Sequence, residues 1–281
     1  MASDNKQVGA NKKDSEPQSF ITEKVSNVLA LDFDGVICDS ANETVASGWR
    51  AGKVIWGDEW TTEEPPDEVV RRFRELRPYM HTGYEAVAMT RMAYEGIEGE
   101  TIDQETFDEF LQETQARTGY SQEGLIDIFS KARDEWIRNA PDSWFKRNRF
   151  YEGAEKLLTE IGKQFPLYIV TTKQRRFAEK LLAEHCPGHN VKAVYGLRDG
   201  SSKEGILDML MSQPEMEDAV FHFVEDRLRT LQRTAEALGG RNLKQYLAGW
   251  GYNTPEDRRT AADADNIILL DKPNDFTQRF L

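Results

Sequence analysis

Residues 28–40 read Val-Leu-Ala-Leu-Asp-Phe-Asp-Gly-Val-Ile-Cys-Asp-Ser, and this run decides the fold. Val28 to Leu31 is continuously apolar, as a strand buried on both faces of a parallel sheet requires. It ends in two carboxylates, Asp32 and Asp34, one residue apart, followed at once by Gly35. Ligands of open parallel sheets bind beyond the carboxyl ends of the strands. Both acids sit at such an end, and period-two spacing turns them to the same side if the strand continues through Asp34.

Three later segments repeat the pattern of an apolar run or helix start that ends in polar chemistry. Residues 166–173 read Pro-Leu-Tyr-Ile-Val-Thr-Thr-Lys, a buried-strand run ending in the hydroxyl pair Thr171 and Thr172. Residues 201–207, Ser-Ser-Lys-Glu-Gly-Ile-Leu, place Lys203 near a helix start. Residues 219–226, Ala-Val-Phe-His-Phe-Val-Glu-Asp, form a strand ending in the paired acids Glu225 and Asp226. Thr171 also suits a strand by its β-branch, and Thr172 is expected to cap the following helix.

Taken in order, these four segments resemble the motifs of the haloacid dehalogenase superfamily. The match is to its phosphoglycolate-phosphatase and β-phosphoglucomutase-like branch, which carries a helical cap after the first motif. The resemblance runs from Val28 to the C-terminus. It implies a magnesium-dependent phosphatase of a small phosphorylated metabolite. Asp32 is then the nucleophile, forming an aspartyl-phosphate, and Asp34 the general acid and base. Thr171, Thr172 and Lys203 hold the phosphate. The Mg2+ cofactor is held by Asp32, Asp34, Asp226 and Glu225. Many members carry another acid four residues after the fourth motif's Asp, where this chain has Thr230. A phosphosugar mutase of the same superfamily would share all four motifs, and a catalytically silent binding or regulatory protein could stand on the same fold.

The residue types suit that chemistry. A phosphate monoester is a dianion that repels a carboxylate nucleophile, so a cation is needed to bring the two together. Phosphoryl transfer otherwise asks the protein for positioning and charge stabilisation.

Strand and helix segments alternate after Phe150. A helix with Ala154, Leu157, Leu158 and Ile161 on one stripe is followed by strands near 166–171, 191–195, 219–224, 244–249 and 266–270. Helices near 174–184, from 203 and over 228–238 are interleaved with them. Such alternation predicts an α/β doubly wound parallel sheet, a Rossmann-like core. Between Ser40 and Phe150 the pattern is helical. Ser40-Ala-Asn-Glu43 and Thr101-Ile-Asp-Gln104 read as capping boxes. Residues 71–76 and 121–140 read as further helices. The expected organisation is a disordered polar tail over 1–25, an α/β core over 26–40 and 150–281, and an all-α cap over 41–149. Arg77, Tyr79 and His81 lie in a segment that can loop between cap helices towards the site, which makes them candidates for substrate specificity.

At 281 residues and net charge −13, the chain can bury a sizeable core but is a poor partner for nucleic acid or an anionic membrane. No run has the length of a membrane span, and no secretory pattern appears, so a cytoplasmic location is expected. Cys38 and Cys186 are the only cysteines, consistent with a reducing compartment. His185, Cys186 and His189 lie close together at a predicted helix end, where Pro187-Gly188 explains a chain turn without a metal.

Overall fold

The computed structural model describes residues 25–196 and 202–280. The expected tail over 1–24 lies outside the described residues. Six parallel strands form the core: β1 (Asn27–Leu31), β4 (Leu167–Val170), β5 (Val191–Tyr195), β6 (Val220–Glu225), β7 (Leu243–Ala248) and β8 (Ile267–Leu270), in the order β5-β4-β1-β6-β7-β8. The chain leaves β1 on one side to build β4 and β5, then returns on the other to build β6, β7 and β8. The reversal occurs at β1, where the diverging connections open a crevice beyond the strand ends.

Alternation along β1 fills both faces of the sheet. Leu29 and Leu31 join the cluster containing Ile169, Phe177 and Val224. Val28 and Ala30 join the opposite cluster with Val170, Phe221 and Phe223. Every one of these side chains is essentially buried, which is why the strand reads as an unbroken apolar run rather than an alternating one.

A two-stranded antiparallel ribbon, β2 (Cys38–Asp39) with β3 (Arg149–Phe150), sits where the chain leaves and re-enters the core. Between them lies the helical insert: α1 (Ala41–Trp56), α2 (Asp67–Leu76), α3 (Ala86–Tyr94), α4 (Gln104–Arg117), α5 (Gln122–Asn139) and the short α6 (Pro141–Phe145). It has its own apolar centre, with Trp49 stacked on Trp60 at 4.2 Å and Phe73, Phe107 and Met89 fully buried. The remaining helices pack on the sheet. They are α7 (Ala154–Lys156), α8 (Gly162–Gln164), α9 (Arg175–His185), α10 (Lys203–Met211), α11 (Leu228–Leu238), α12 (Pro255–Asp263) and α13 (Pro273–Thr277).

Several local expectations are corrected. Ser40 occupies the N-cap of α1, yet its side chain makes no capping bond. Glu43 cannot close the box, because its carboxylate is turned inward to Arg133, Ser47 and Trp144. The second box shifts by two residues: Asp103, not Thr101, caps α4 by accepting the Thr106 amide. Thr172 does not cap α9, whose N-cap is Gln174. The stripe Ala154–Ile161 is buried as expected, but a π-helical turn over Leu157–Ile161 joins α7 to α8. Asn190 engages the carbonyls of Leu158 and Thr159 there.

Candidate active site

Asp32 follows the last residue of β1, with its amide donating to the Val224 carbonyl of the neighbouring strand at 2.9 Å. That bond keeps Asp32 in register with the end of β6, where Glu225 and Asp226 stand. Asp32, Glu225 and Asp226 each offer an oxygen within 4.8 Å of the others. Among the described residues no other three acids, histidines or cysteines come together this way. His185 instead packs its ring against Phe145 and Phe150, and His189 Nδ1 accepts the Val191 amide.

All three acids are buried. Burial and the mutual repulsion of the carboxylates raise the pKa of Asp226 well above the usual range. Burial likewise raises Asp32, against the pull of Lys203. Lys203, at the start of α10, places Nζ 2.9 Å from Asp32 Oδ2 and 2.6 Å from Glu225 Oε2. Burial opposes its charge, but the two carboxylates overrule that and raise its pKa. Ser202 fixes this helix start by accepting the Gly205 amide.

The four ionised groups would carry a net charge of −2, so a hard dication fits the donor set. The oxygens are not equally available. Glu225 uses Oε2 on Lys203 and Oε1 on the Arg227 amide. Asp226 accepts the Tyr252 amide on Oδ2 at 2.8 Å, and no donor among the described residues reaches its Oδ1. Asp32 likewise uses Oδ1 on the Phe33 amide and Oδ2 on Lys203, so Asp226 Oδ1 is the carboxylate oxygen left open to a divalent ion, with Glu225 orienting Lys203. Thr230 is buried and lines the same cavity as these groups.

Asp34 lies apart from the three acids. Lys173, which the sequence reading quoted without assigning a role, places Nζ 2.9 Å from Asp34 Oδ1. Burial alone would raise Asp34, but Lys173 and Arg77 hold it below the ordinary carboxylate range. The turn between Asp34 and Cys38 needs Gly35, whose φ is +85°. A Cβ there would fall 1.8 Å from Asp226 Oδ2. Gly35→Ala is expected to cost about 2 kcal/mol or more from backbone strain and overpacking. It should also displace Asp226 from its place beside Asp32 and Glu225.

Thr171 is buried and accepts the Lys173 amide on Oγ1 at 3.1 Å. Of this pair it is Thr172 that lines the cavity beside Asp32, Asp34 and Lys203, a space of about 220 Å³. Arg77 and His81 line it as well. Tyr79 does not line it. Tyr79 stacks on Phe107 and donates to the Ile102 carbonyl inside the insert. His81 Nδ1 stands 2.7 Å from Arg227 Nη2. Burial and the Arg227 charge lower His81 to about 4, so the ring is neutral and accepts from arginine. Cys38, in ribbon strand β2, is buried, and burial pushes its thiol well up, which suits a filler of the core.

Two features escaped the sequence reading. Lys173 gave a signal, since it follows a predicted strand end by two residues. Tyr252 had only the Gly249-Trp250-Gly251-Tyr252 turn to mark it. Its hydroxyl donates to Asp39 and accepts the amides of Ser40 and Ala41, so it pins the start of the insert to the core.

No protein-family model and no curated protein matches the sequence. Solved structures do match along nearly the whole chain. A predicted phosphatase from Clostridium acetobutylicum is 18% identical with a TM-score of 0.54, covering 91% of this chain and 98% of its own. A predicted phosphoglycolate phosphatase from Haemophilus somnus is 14% identical with a TM-score of 0.56, covering 91% and 98%. A haloacid dehalogenase-like hydrolase from Streptococcus pneumoniae is 14% identical with a TM-score of 0.51, covering 91% and 99%. At such identities the likeness is one of fold. The chain has the haloacid-dehalogenase-like hydrolase fold, with its helical insert after the first strand.

Proposed function

We propose that the chain is a magnesium-dependent phosphatase of small phosphate monoesters, acting through a phosphoaspartate on Asp32. One observation carries this reading. At the sheet's reversal point Asp32 stands with two further buried acids and one lysine, while a second aspartate, Asp34, is held separately by its own lysine. A carboxylate nucleophile needs the first arrangement, and an independent proton carrier needs the second.

In the first step an Asp32 carboxylate oxygen bonds to phosphorus and the ester P–O bond breaks. Asp34 gives its proton to the departing alcohol oxygen. In the second step Asp34 takes a proton from water, which attacks the phosphoaspartate and regenerates Asp32 with release of inorganic phosphate. Lys173 keeps Asp34 ionised before substrate binds; the arriving dianion raises its proton affinity by like-charge repulsion, so Asp34 takes up a solvent proton before the first step and returns one to solvent after the second. Lys203 and the hydroxyl of Thr172 or Thr171 would hold the non-bridging oxygens. Asp32 and Asp226 would hold magnesium, joined by the Asp34 backbone carbonyl as the family resemblance implies. The chemistry magnesium supplies when bound is neutralisation of phosphoryl charge.

We assign residues 41–149 the role of a cap over this site, with core segments 26–40 and 150–281. Three polar contacts tie the two together around the cavity: Arg227 to His81, Gln174 to Ser130 at 2.6 Å, and the Arg176–Asp134 ion pair. Such contacts suit a lid that excludes bulk water. No helix among the described residues is long and apolar enough to cross a membrane.

Phosphate release from a panel of small esters, with magnesium and then with excess chelator, tests this reading. Turnover should fall by about 10³-fold or more on chelation, as expected for removal of a charge-neutralising ion. Equal turnover with and without metal would overturn the metal assignment.

A further inference from the structure

His81 and Arg227 meet at the cavity, one from the insert and one from the core. His81 follows the 3₁₀ turn Arg77–Tyr79, and Arg227 follows the paired acids at the end of β6. Arg227 Nη2 stands 2.7 Å from His81 Nδ1. An arginine is charged at any ordinary pH and only donates. Nδ1 is therefore the acceptor, and the ring proton sits on Nε2, 3.3 Å from Asp108 Oδ1 of α4. Gln104 Nε2 lies near the same ring atom but donates to the Tyr79 carbonyl and to Asp108. The contact thus exists only for neutral His81. An imidazolium would point an N–H at an N–H and set two cations side by side.

Charge reaches the ring from every element around it. From the core, Arg227 and Arg229 oppose a positive ring, and from α4 Asp108 favours one. Arg233 of α11 and Glu204 of α10 line the same cavity and pair with each other at 3.3 Å. Arg77, from the insert, lines it too. Glu85 touches only the backbone here, accepting the His81 amide at 2.6 Å and the Thr82 amide at 3.2 Å.

Those two bonds make 81–85 one tight turn, so the segment moves with its histidine. The other polar ties named between insert and core are Gln174 to Ser130 and Arg176 to Asp134. Both join α5 to the start of α9, and neither involves a histidine. Breaking the Arg227 contact therefore frees the segment over the cavity while α5 stays seated.

We infer that His81 is a positioning residue: by accepting Arg227 it latches the 77–85 segment over the cavity, and protonation of its ring releases the latch. The latch stands on the Arg227–His81 contact, and its consequence for turnover rests on the phosphatase reading. Released into water, a histidine charges near its ordinary value of about 6.5. In the latched state burial and Arg227 lower the ring to about 4. A group whose pKa is lowered by closing favours the closed state above the open-state value. Closure is therefore fully favoured above about pH 6.5 and weakens as pH falls towards 4.

Hydrogen exchange on the full chain without ester, corrected for intrinsic rates at each pH, tests the latch. Between pH 7.5 and 5 the protection of residues 77–85 should fall by about 10-fold in the wild type, while the interior of α3 keeps its protection. His81→Gln retains an acceptor for Arg227 and does not charge, so the fall should shrink to less than about 2-fold. Arg227→Gln should flatten the response as well, because an amide presents its oxygen to an imidazolium as readily as its N–H to a neutral ring. Burial raises Glu85, so Glu85 also takes up a proton in acid, but that effect persists in His81→Gln. A flat wild-type response, or an equal fall in wild type and His81→Gln, overturns the latch. If neither variant folds, the ring 15N shifts of the wild type decide: an imidazolium at pH 5.5 with residues 77–85 still fully protected overturns it.

Turnover separates the latch from the phosphatase reading. The ratio of wild-type to His81→Gln kcat/KM on one small ester should fall by about 10-fold between pH 7.5 and 5, since groups common to both proteins cancel. If no ester turns over but the exchange results hold, the latch stands and the phosphatase reading falls. If turnover depends on magnesium and the ratio is constant with pH, His81 does not position the reaction, and the phosphatase reading is intact.

Discussion

Asp32→Asn should reduce magnesium-dependent phosphate release by at least about 10⁴-fold, the order expected when a covalent nucleophile is removed. The substitution is nearly isosteric, so packing at the end of β1 is preserved. The asparagine carbonyl oxygen can still accept the Phe33 amide, which reaches Asp32 Oδ1 at 2.7 Å. What is lost is the anionic oxygen that attacks phosphorus. The protein should not be destabilised in the absence of metal. Asp32 is one of three buried carboxylates that repel one another, and Lys203 retains Glu225 at 2.6 Å as its partner. A melting temperature within a few degrees of wild type, together with lost turnover, is therefore the expected pair of results. A variant that still releases phosphate at more than a tenth of the wild-type rate would remove Asp32 from the role of nucleophile.

The second large effect is on stability, far from the reacting atoms. Glu43 is completely buried in α1. Its carboxylate accepts Arg133 Nε and Nη2, both at 2.7 Å, along with the Ser47 hydroxyl and the Trp144 indole N–H. It therefore ties α1, α5 and α6 together where the insert meets the core. Glu43→Ala leaves the Arg133 charge buried without a partner, which costs about 3–5 kcal/mol. Glu43→Gln keeps one acceptor and should cost less. Chemical denaturation followed by tryptophan fluorescence checks both, and a loss below about 1 kcal/mol for Glu43→Ala would contradict the role.

The same group gives a pH dependence. Burial acts to raise Glu43, but Arg133 and Lys173 outweigh it and hold its pKa below the ordinary glutamate range. A carboxylate depressed on folding contributes stability that is complete above its unfolded pKa. That contribution is lost as pH falls from about 4.5 through the lower folded value, and it should be absent from the acid limb of Glu43→Gln.

Much of the core was legible because burial writes itself into composition. Strands covered on both faces are largely apolar, so Val28–Leu31, Leu167–Val170 and Val220–Val224 stood out, and so did the acids and hydroxyls that end them. Helix starts were less legible. A Ser-x-x-Glu pattern is local, whereas Glu43 is claimed by Arg133, ninety positions on, and a buried charge prefers the partner that satisfies it fully. Thr101 lost its cap to Asp103 for a smaller reason. Both are good N-caps, and the 3₁₀ turn at Gly99–Thr101 delays the start of α4.

The sequence alone determined the alternating α/β core, the helical insert and the positions of Asp32, Asp34, Lys203, Glu225 and Asp226 at strand or helix ends. These follow from periodicity, which acts over a few residues. Only the tertiary structure decided how charges are shared. It gave Lys203 to Asp32 and Glu225, gave Lys173 to Asp34, and turned Tyr79 away from the cavity that Arg77 and His81 line. It also left Arg77 on Tyr252 without an acid. Pairing of buried charges depends on distances between elements far apart in the chain, and no local pattern of residues encodes those distances.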